Sequence, residues 1–137
     1  MSATNTTVPA ITSTTGSLVG TGVVAAVLAS AATTTVAAAG SAAGISLDLA
    51  GAPLPVSGFA VLTLVFSLVG VVLAVVMSRK ARRARSTFIR TTAALTALSL
   101  VPDVIVDAAP ATKALLMLTH VVAAAIVIPA IARRLSY

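Results

Sequence analysis

Between Ser57 and Ser78 the chain carries no charged residue and is dominated by Val, Leu and other apolar side chains. At about 1.5 Å of rise per residue, a helix of that length crosses a hydrocarbon core of about 30 Å. A helix also satisfies its own backbone in lipid, which an isolated strand or loop does not. This one segment therefore predicts a membrane protein and sets the frame for the rest of the chain.

Three further apolar runs accompany it. The first, from about Ser17 to Ala39, is built of Ala, Val, Gly and Thr, with Leu18 and Leu28 as its bulkier members. With so few large aliphatics it reads as the weakest span. Ala37-Ala38-Ala39 would suit a signal peptidase, but no basic stretch precedes the run, so a retained transmembrane helix is expected. The third run spans Phe88 to Ala108 and the fourth Thr112 to Ala132. The expectation is an all-α fold, a four-helix transmembrane bundle with helices near 17–39, 57–78, 88–108 and 112–132. Residues 1–16 are Ser/Thr/Asn-rich and uncharged, which predicts a disordered tail. Composition agrees: 58% of residues are hydrophobic and 9% charged, whereas soluble domains carry about a quarter charged residues.

The connection between the first two spans holds Gly44, Asp48, Gly51, Pro53 and Pro55, which break helices and mark a loop. Within it Ile45, Leu47 and Leu49 alternate with Ser46, Asp48 and Ala50, a pattern compatible with a short strand or an interfacial segment.

Charge is segregated. Arg79, Lys80, Arg82, Arg83 and Arg85 lie between the second and third spans with Arg90 at the start of the third, and Arg133 and Arg134 follow the fourth. Asp48, Asp103, Asp107 and Lys113 lie toward the opposite ends of the spans. The positive-inside rule then predicts a multi-pass protein of the inner (plasma) membrane with both termini cytoplasmic. The formal net charge of +6 reads as juxtamembrane signal with attraction to anionic headgroups. Nucleic-acid binding is not expected, because three Phe, one Tyr and no Trp leave little to stack bases on. The absence of cysteine excludes disulfides, thiolate metal sites and thiol redox chemistry.

Two helix faces carry information. In the second span Ala60, Thr63, Ser67, Gly70, Ala74 and Ser78 fall on one side, suited to close helix packing. Leu62, Val65, Phe66, Val72, Leu73 and Val76 fall on the other, suited to lipid. In the third span Thr92, Thr96, Ser99, Asp103 and Asp107 share an arc of roughly 60 to 80°. Hydroxyls can bond the carbonyl a turn back, but aspartate in lipid is costly and should face the bundle or a wet cavity. Pro102 precedes Asp103 and frees a carbonyl one turn back. His120 sits at a similar depth, about 12 Å below the end of its span, on what the short turn at Pro110 makes an antiparallel neighbour. Asp103 and His120 are thus a candidate buried pair, with Lys113 placed to meet Asp107 or Asp48 at the rim. The candidate polar pocket comprises Asp103, Asp107, His120, Asp48, Lys113 and Ser99. No metal-ligand spacing is present, and neither a cofactor nor a catalytic residue is assigned.

The stretches Leu47-Asp48-Leu49-Ala50-Gly51-Ala52-Pro53-Leu54-Pro55, Thr87-Phe88-Ile89-Arg90, Ser99-Leu100-Val101-Pro102-Asp103 and Leu118-Thr119-His120-Val121-Val122-Ala123-Ala124 resemble the domain of unknown function 6069 family. Its members are small four-helix membrane proteins of high-GC Gram-positive bacteria. The resemblance covers roughly Leu18 to Leu135 and implies a bacterial inner-membrane bundle. It implies no activity.

The favoured expectation is a non-enzymatic bundle whose polar pocket opens to the outer face and binds a lipid headgroup, a small ligand or a partner's membrane helix. One alternative is a small cofactor-independent membrane enzyme using the His-Asp pair on a lipophilic substrate. Another is an oligomeric proton-coupled exporter. A pair that merely fixes helix register is the plainest reading of Asp103 and His120. The partners expected are membrane lipids and either further copies of the chain or another membrane protein.

Overall fold

The computed structural model describes residues 11–137, with side chains from residue 15, so most of the expected N-terminal tail (residues 1–10) lies outside the described residues. Four helices run up and down: α1 (Ile11–Ala42), α2 (Val56–Lys80), α3 (Ala84–Ile105) and α4 (Pro110–Ala132). Each is long and apolar enough to cross a membrane. The chain is a multi-pass helical membrane protein.

Between α1 and α2 the alternating segment closes into a hairpin of β1 (Asp48–Leu49) and β2 (Ala52–Pro53), with Asp48 opposite Pro53 and Leu49 opposite Ala52. Its two turn residues, Ala50 at φ 51° and Gly51 at φ 81°, both take the left-handed conformation that a tight two-residue hairpin requires. Ile45, Leu47 and Leu49 are half-buried while Ser46, Asp48 and Ala50 are exposed, as the alternation predicts.

The helices form a ring. α1 packs most extensively on α2 and α4, and α3 stands at the opposite corner, held less tightly by the same two helices. The chain therefore has two ends. One carries the hairpin and the α3–α4 turn; the other carries the arginines and the segment after α4.

α1 serves as the packing hub because it is small. Ala25, Ala26, Ala29, Thr33 and Ala37 are fully buried or nearly so. A methyl group on Gly22 would lie 2.5 Å from Cγ2 of Val71 in α2, and one on Gly40 would lie 2.7 Å from Cδ2 of Leu115 in α4. Such close approach gains dispersion contact, the main attraction available between helices in lipid. Two hydroxyls exploit it: Ser30 Oγ donates to the Ala60 carbonyl at 2.8 Å, and Thr33 Oγ1 and Thr63 Oγ1 stand 2.9 Å apart.

On α2, Ser67 and Ala74 are buried and Ala60, Thr63 and Gly70 half-buried, as expected of the small face. Leu62, Val65, Phe66, Val72 and Val76 are exposed on the lipid side, and Leu73 is half-buried. Gly70 is not a close-contact position, since a methyl there would meet nothing within 4 Å. Ser78 is exposed at the helix end and bonds the Val75 carbonyl.

α1 begins at Ile11 rather than near Ser17, taking in the last residues of the expected tail, and α3 departs from expectation at both ends. It starts at Ala84 instead of near Phe88, because Arg and Ala are good helix formers. Ala84 and Phe88 are completely buried in a cluster with Val71, Val127 and Ile131. It ends at Ile105, where Val106 turns extended while its N–H still bonds the Pro102 carbonyl at 2.9 Å. Pro110 opens α4 rather than closing α3, as suits a residue whose missing N–H costs nothing in the first turn. A second apolar cluster (Ala37, Phe59 and Leu116, overlaid by Leu47, Leu49, Leu54 and Val106) fills the hairpin end.

Candidate functional site

Asp103 and His120 meet. Nδ1 of His120 lies 2.8 Å from Oδ2 of Asp103 and 3.0 Å from the carbonyl of Leu116, one turn back on α4. The ring direction favours the carbonyl, so Oδ2 is buried at contact distance without an in-line hydrogen bond. Both neighbours of Nδ1 are acceptors, and a bare nitrogen lone pair facing them would be repelled. The proton therefore belongs on Nδ1, and a neutral ring keeps its free lone pair on Nε2.

Burial of the two partners differs. The Asp103 side chain is 9% exposed, whereas that of His120 is 38% exposed. Around them the α3 and α4 flanks present Val101, Val104, Leu118 and Val121, all about half exposed. His120 stands ten residues into α4, about 15 Å along a helix of about 34 Å. His120 thus lies near the middle of α4, a little deeper than sequence spacing implied because α4 opens at Pro110 instead of Thr112, while Asp103 stands two residues before the end of α3.

The other predicted site residues do not join the pair. Asp107 lies beyond the end of α3, exposed, and its carbonyl accepts the Ala50 N–H at 2.8 Å. Asp48 is exposed and bonds Ser46 Oγ at 2.8 Å within its own loop. Ser99 donates to the Thr96 carbonyl at 2.7 Å on its own helix. Lys113 reaches neither aspartate: its Nζ donates to the Val104 carbonyl at 2.8 Å. A cation there caps one of the unpaired carbonyls at the end of α3 and suits the negative end of its dipole.

The hairpin end is covered. Thr112, 1% exposed, donates to the Ser46 carbonyl at 2.6 Å, and the Ala50–Asp107 bond ties the hairpin to the α3–α4 turn. Leu47, Leu49 and Leu54 sit over Phe59 and Leu116. Sequence reasoning missed this plug, whose signal was the apolar alternation at 45–49. Two surface cavities, of about 380 and 230 Å3, lie toward the other end: one between α1 and α4 at Gly20, Val24 and Ile126, the other beside Arg85 and Tyr137.

A protein-family model described as "Family of unknown function (DUF6069)" matches residues 13–137, nearly the whole chain. The chain belongs to this DUF6069 family. No curated protein and no solved structure matches it. Membership agrees with the resemblance carried by the Pro102-Asp103 and Thr119-His120 stretches, which the fold brings together as the polar pair of this DUF6069 chain.

Proposed function

We propose that this protein is a non-enzymatic bundle in a bacterial plasma membrane, holding the polar group of a ligand at Asp103 and His120. The ligand is a lipid headgroup, a small lipophilic molecule or a partner's membrane helix. One observation carries the reading: Nδ1 of the single histidine is held between the Leu116 carbonyl and the buried Oδ2 of Asp103, while the half-exposed ring offers Nε2. Intramembrane ionisable groups are costly and mark functional positions by default. With the hairpin plugging its end of the bundle, the approach is lateral, between the exposed apolar residues of α3 and α4. The segregation of eight bases from three acids supports a cytoplasmic arginine end.

A thermal-shift screen of lipids and metabolites on purified protein tests this. At least one compound should stabilise the native chain and lose its effect in Asp103→Asn and His120→Ala. If nothing stabilises it and both variants match the native protein, the pair is only a packing contact.

The orientation of the ring also favours a second reading, a small cofactor-independent membrane enzyme. A carboxylate behind Nδ1 and a free Nε2 is the arrangement of a positioned general base. Turnover of a lipophilic substrate that persists in His120→Ala would eliminate it.

A further inference from the structure

The eight bases at the arginine end have no acid among them, since all three aspartates lie toward the hairpin end and residues 1–10 carry no charged side chain. One of these bases is already fixed in place. The Arg85 backbone N–H donates to the Ser136 carbonyl at 3.0 Å. Its Nη1 bonds the Tyr137 hydroxyl, and its Cζ stands 4.4 Å from the centre of the Tyr137 ring. A guanidinium has five N–H donors, and this contact leaves several unused. Beside it, Arg85, Ser86, Ile89, Arg90 and Tyr137 line the cavity of about 230 Å3. That is several times the ~30 Å3 share of a water molecule, room for a phosphate ester. Arg90 is exposed and makes no hydrogen bond or ion pair among the described residues.

The cavity continues into an apolar surface. Ile89, Ala93, Ala97, Val101 and Val104, at steps of four, four, four and three, form an exposed strip along α3. α3 is also the helix with the smallest share of its span buried.

We propose that this cavity binds the phosphate of an anionic phospholipid between Arg85 and Arg90, with one acyl chain lying along α3 from Ile89. Two arginines supply the charge, Ser86 and the Tyr137 hydroxyl supply polar contacts, and the strip selects a lipid over a soluble phosphate. The site is independent of the Asp103–His120 pair, so either reading can fail alone.

Native mass spectrometry of the full chain, released from bilayers of equal phosphatidylglycerol and phosphatidylcholine, tests it. The native protein should retain phosphatidylglycerol preferentially. At roughly 1 kcal/mol per base near the surface, Arg85→Gln with Arg90→Gln should cut that preference on the order of tenfold. Arg79→Gln with Arg82→Gln removes the same charge outside the cavity and should change it clearly less than Arg85→Gln with Arg90→Gln. Tyr137→Ala, at a position 86% exposed and so harmless to folding, should lower it severalfold by releasing Arg85. Equal losses in the two double variants, no preference in the native chain, or displacement by millimolar glycerol 3-phosphate would each overturn the site.

Discussion

α1 and α3 stand at opposite corners of the bundle and differ in where their hydroxyls reach, although Thr34 and Thr35 of α1 also bond carbonyls of their own helix. In α1, Ser30 and Thr33 reach across to α2, to the Ala60 carbonyl and to Thr63. In α3, Thr92, Thr96 and Ser99 each bond a carbonyl of their own helix, at Phe88, Thr92 and Thr96. The chemistry of the side chains is the same. What differs is the distance between backbones: glycine and alanine draw α1 against its neighbours, and α3 lacks that seam. Hydroxyls become interhelical ties only where small residues have already brought the helices together. On α3 the tie is made instead by the one group that cannot satisfy itself locally, Asp103, and it goes to His120.

Enlarging the α1 seam should have the largest effect. Gly22→Val and Gly40→Val place atoms where Val71 and Leu115 already stand, and overpacking of this kind costs about 1–3 kcal/mol. Gly70→Ala, which meets nothing within 4 Å, should stay within about 0.5 kcal/mol. Unfolding of purified protein in detergent reads both, and equal effects would erase the distinction between seam and surface.

Next comes Asp103→Ala. Losing this polar contact should cost about 1–2 kcal/mol, while the Lys113–Val104 bond between the same two helices remains. Hydrogen exchange should rise in α3 and the facing part of α4 while α1 and α2 stay protected. A uniform rise would mean that α3 is not separately held.

The smallest effect is the most specific. A double-mutant cycle of Thr33→Val and Thr63→Val should show coupling of about 0.6 kcal/mol. Thr92→Val and Thr96→Val should be additive and nearly silent, since each hydroxyl bonds only its own helix.

Much of this was legible in the sequence. The uncharged run from Ser57 to Ser78 gave α2 and both its faces, because lipid exposure and small-residue packing leave opposite marks at helical spacing. The pairing of Asp103 with His120 followed from depth on neighbouring spans. The role of α1 was not legible: hydropathy measures transfer into lipid and does not tell a helix surrounded by other helices from one surrounded by lipid. Gly22 and Gly40 carried no signal that separated them from Gly70. The partner of Lys113 was hidden for another reason. Charge suggests aspartate, but the carbonyl at Val104 was freed only by the early end of α3, which hydropathy placed three residues too late.

The central claim is that Asp103 and the Leu116 carbonyl together hold the one histidine at Nδ1 and leave Nε2 available, and the single histidine of the chain allows a direct test. With 15N-labelled histidine in lipid bilayers, NMR reports one ring. At a pH where the imidazole is neutral, the proton should reside on Nδ1, and Asp103→Asn should perturb that nitrogen most. A proton on Nε2, or a ring indifferent to Asp103→Asn, would contradict the account.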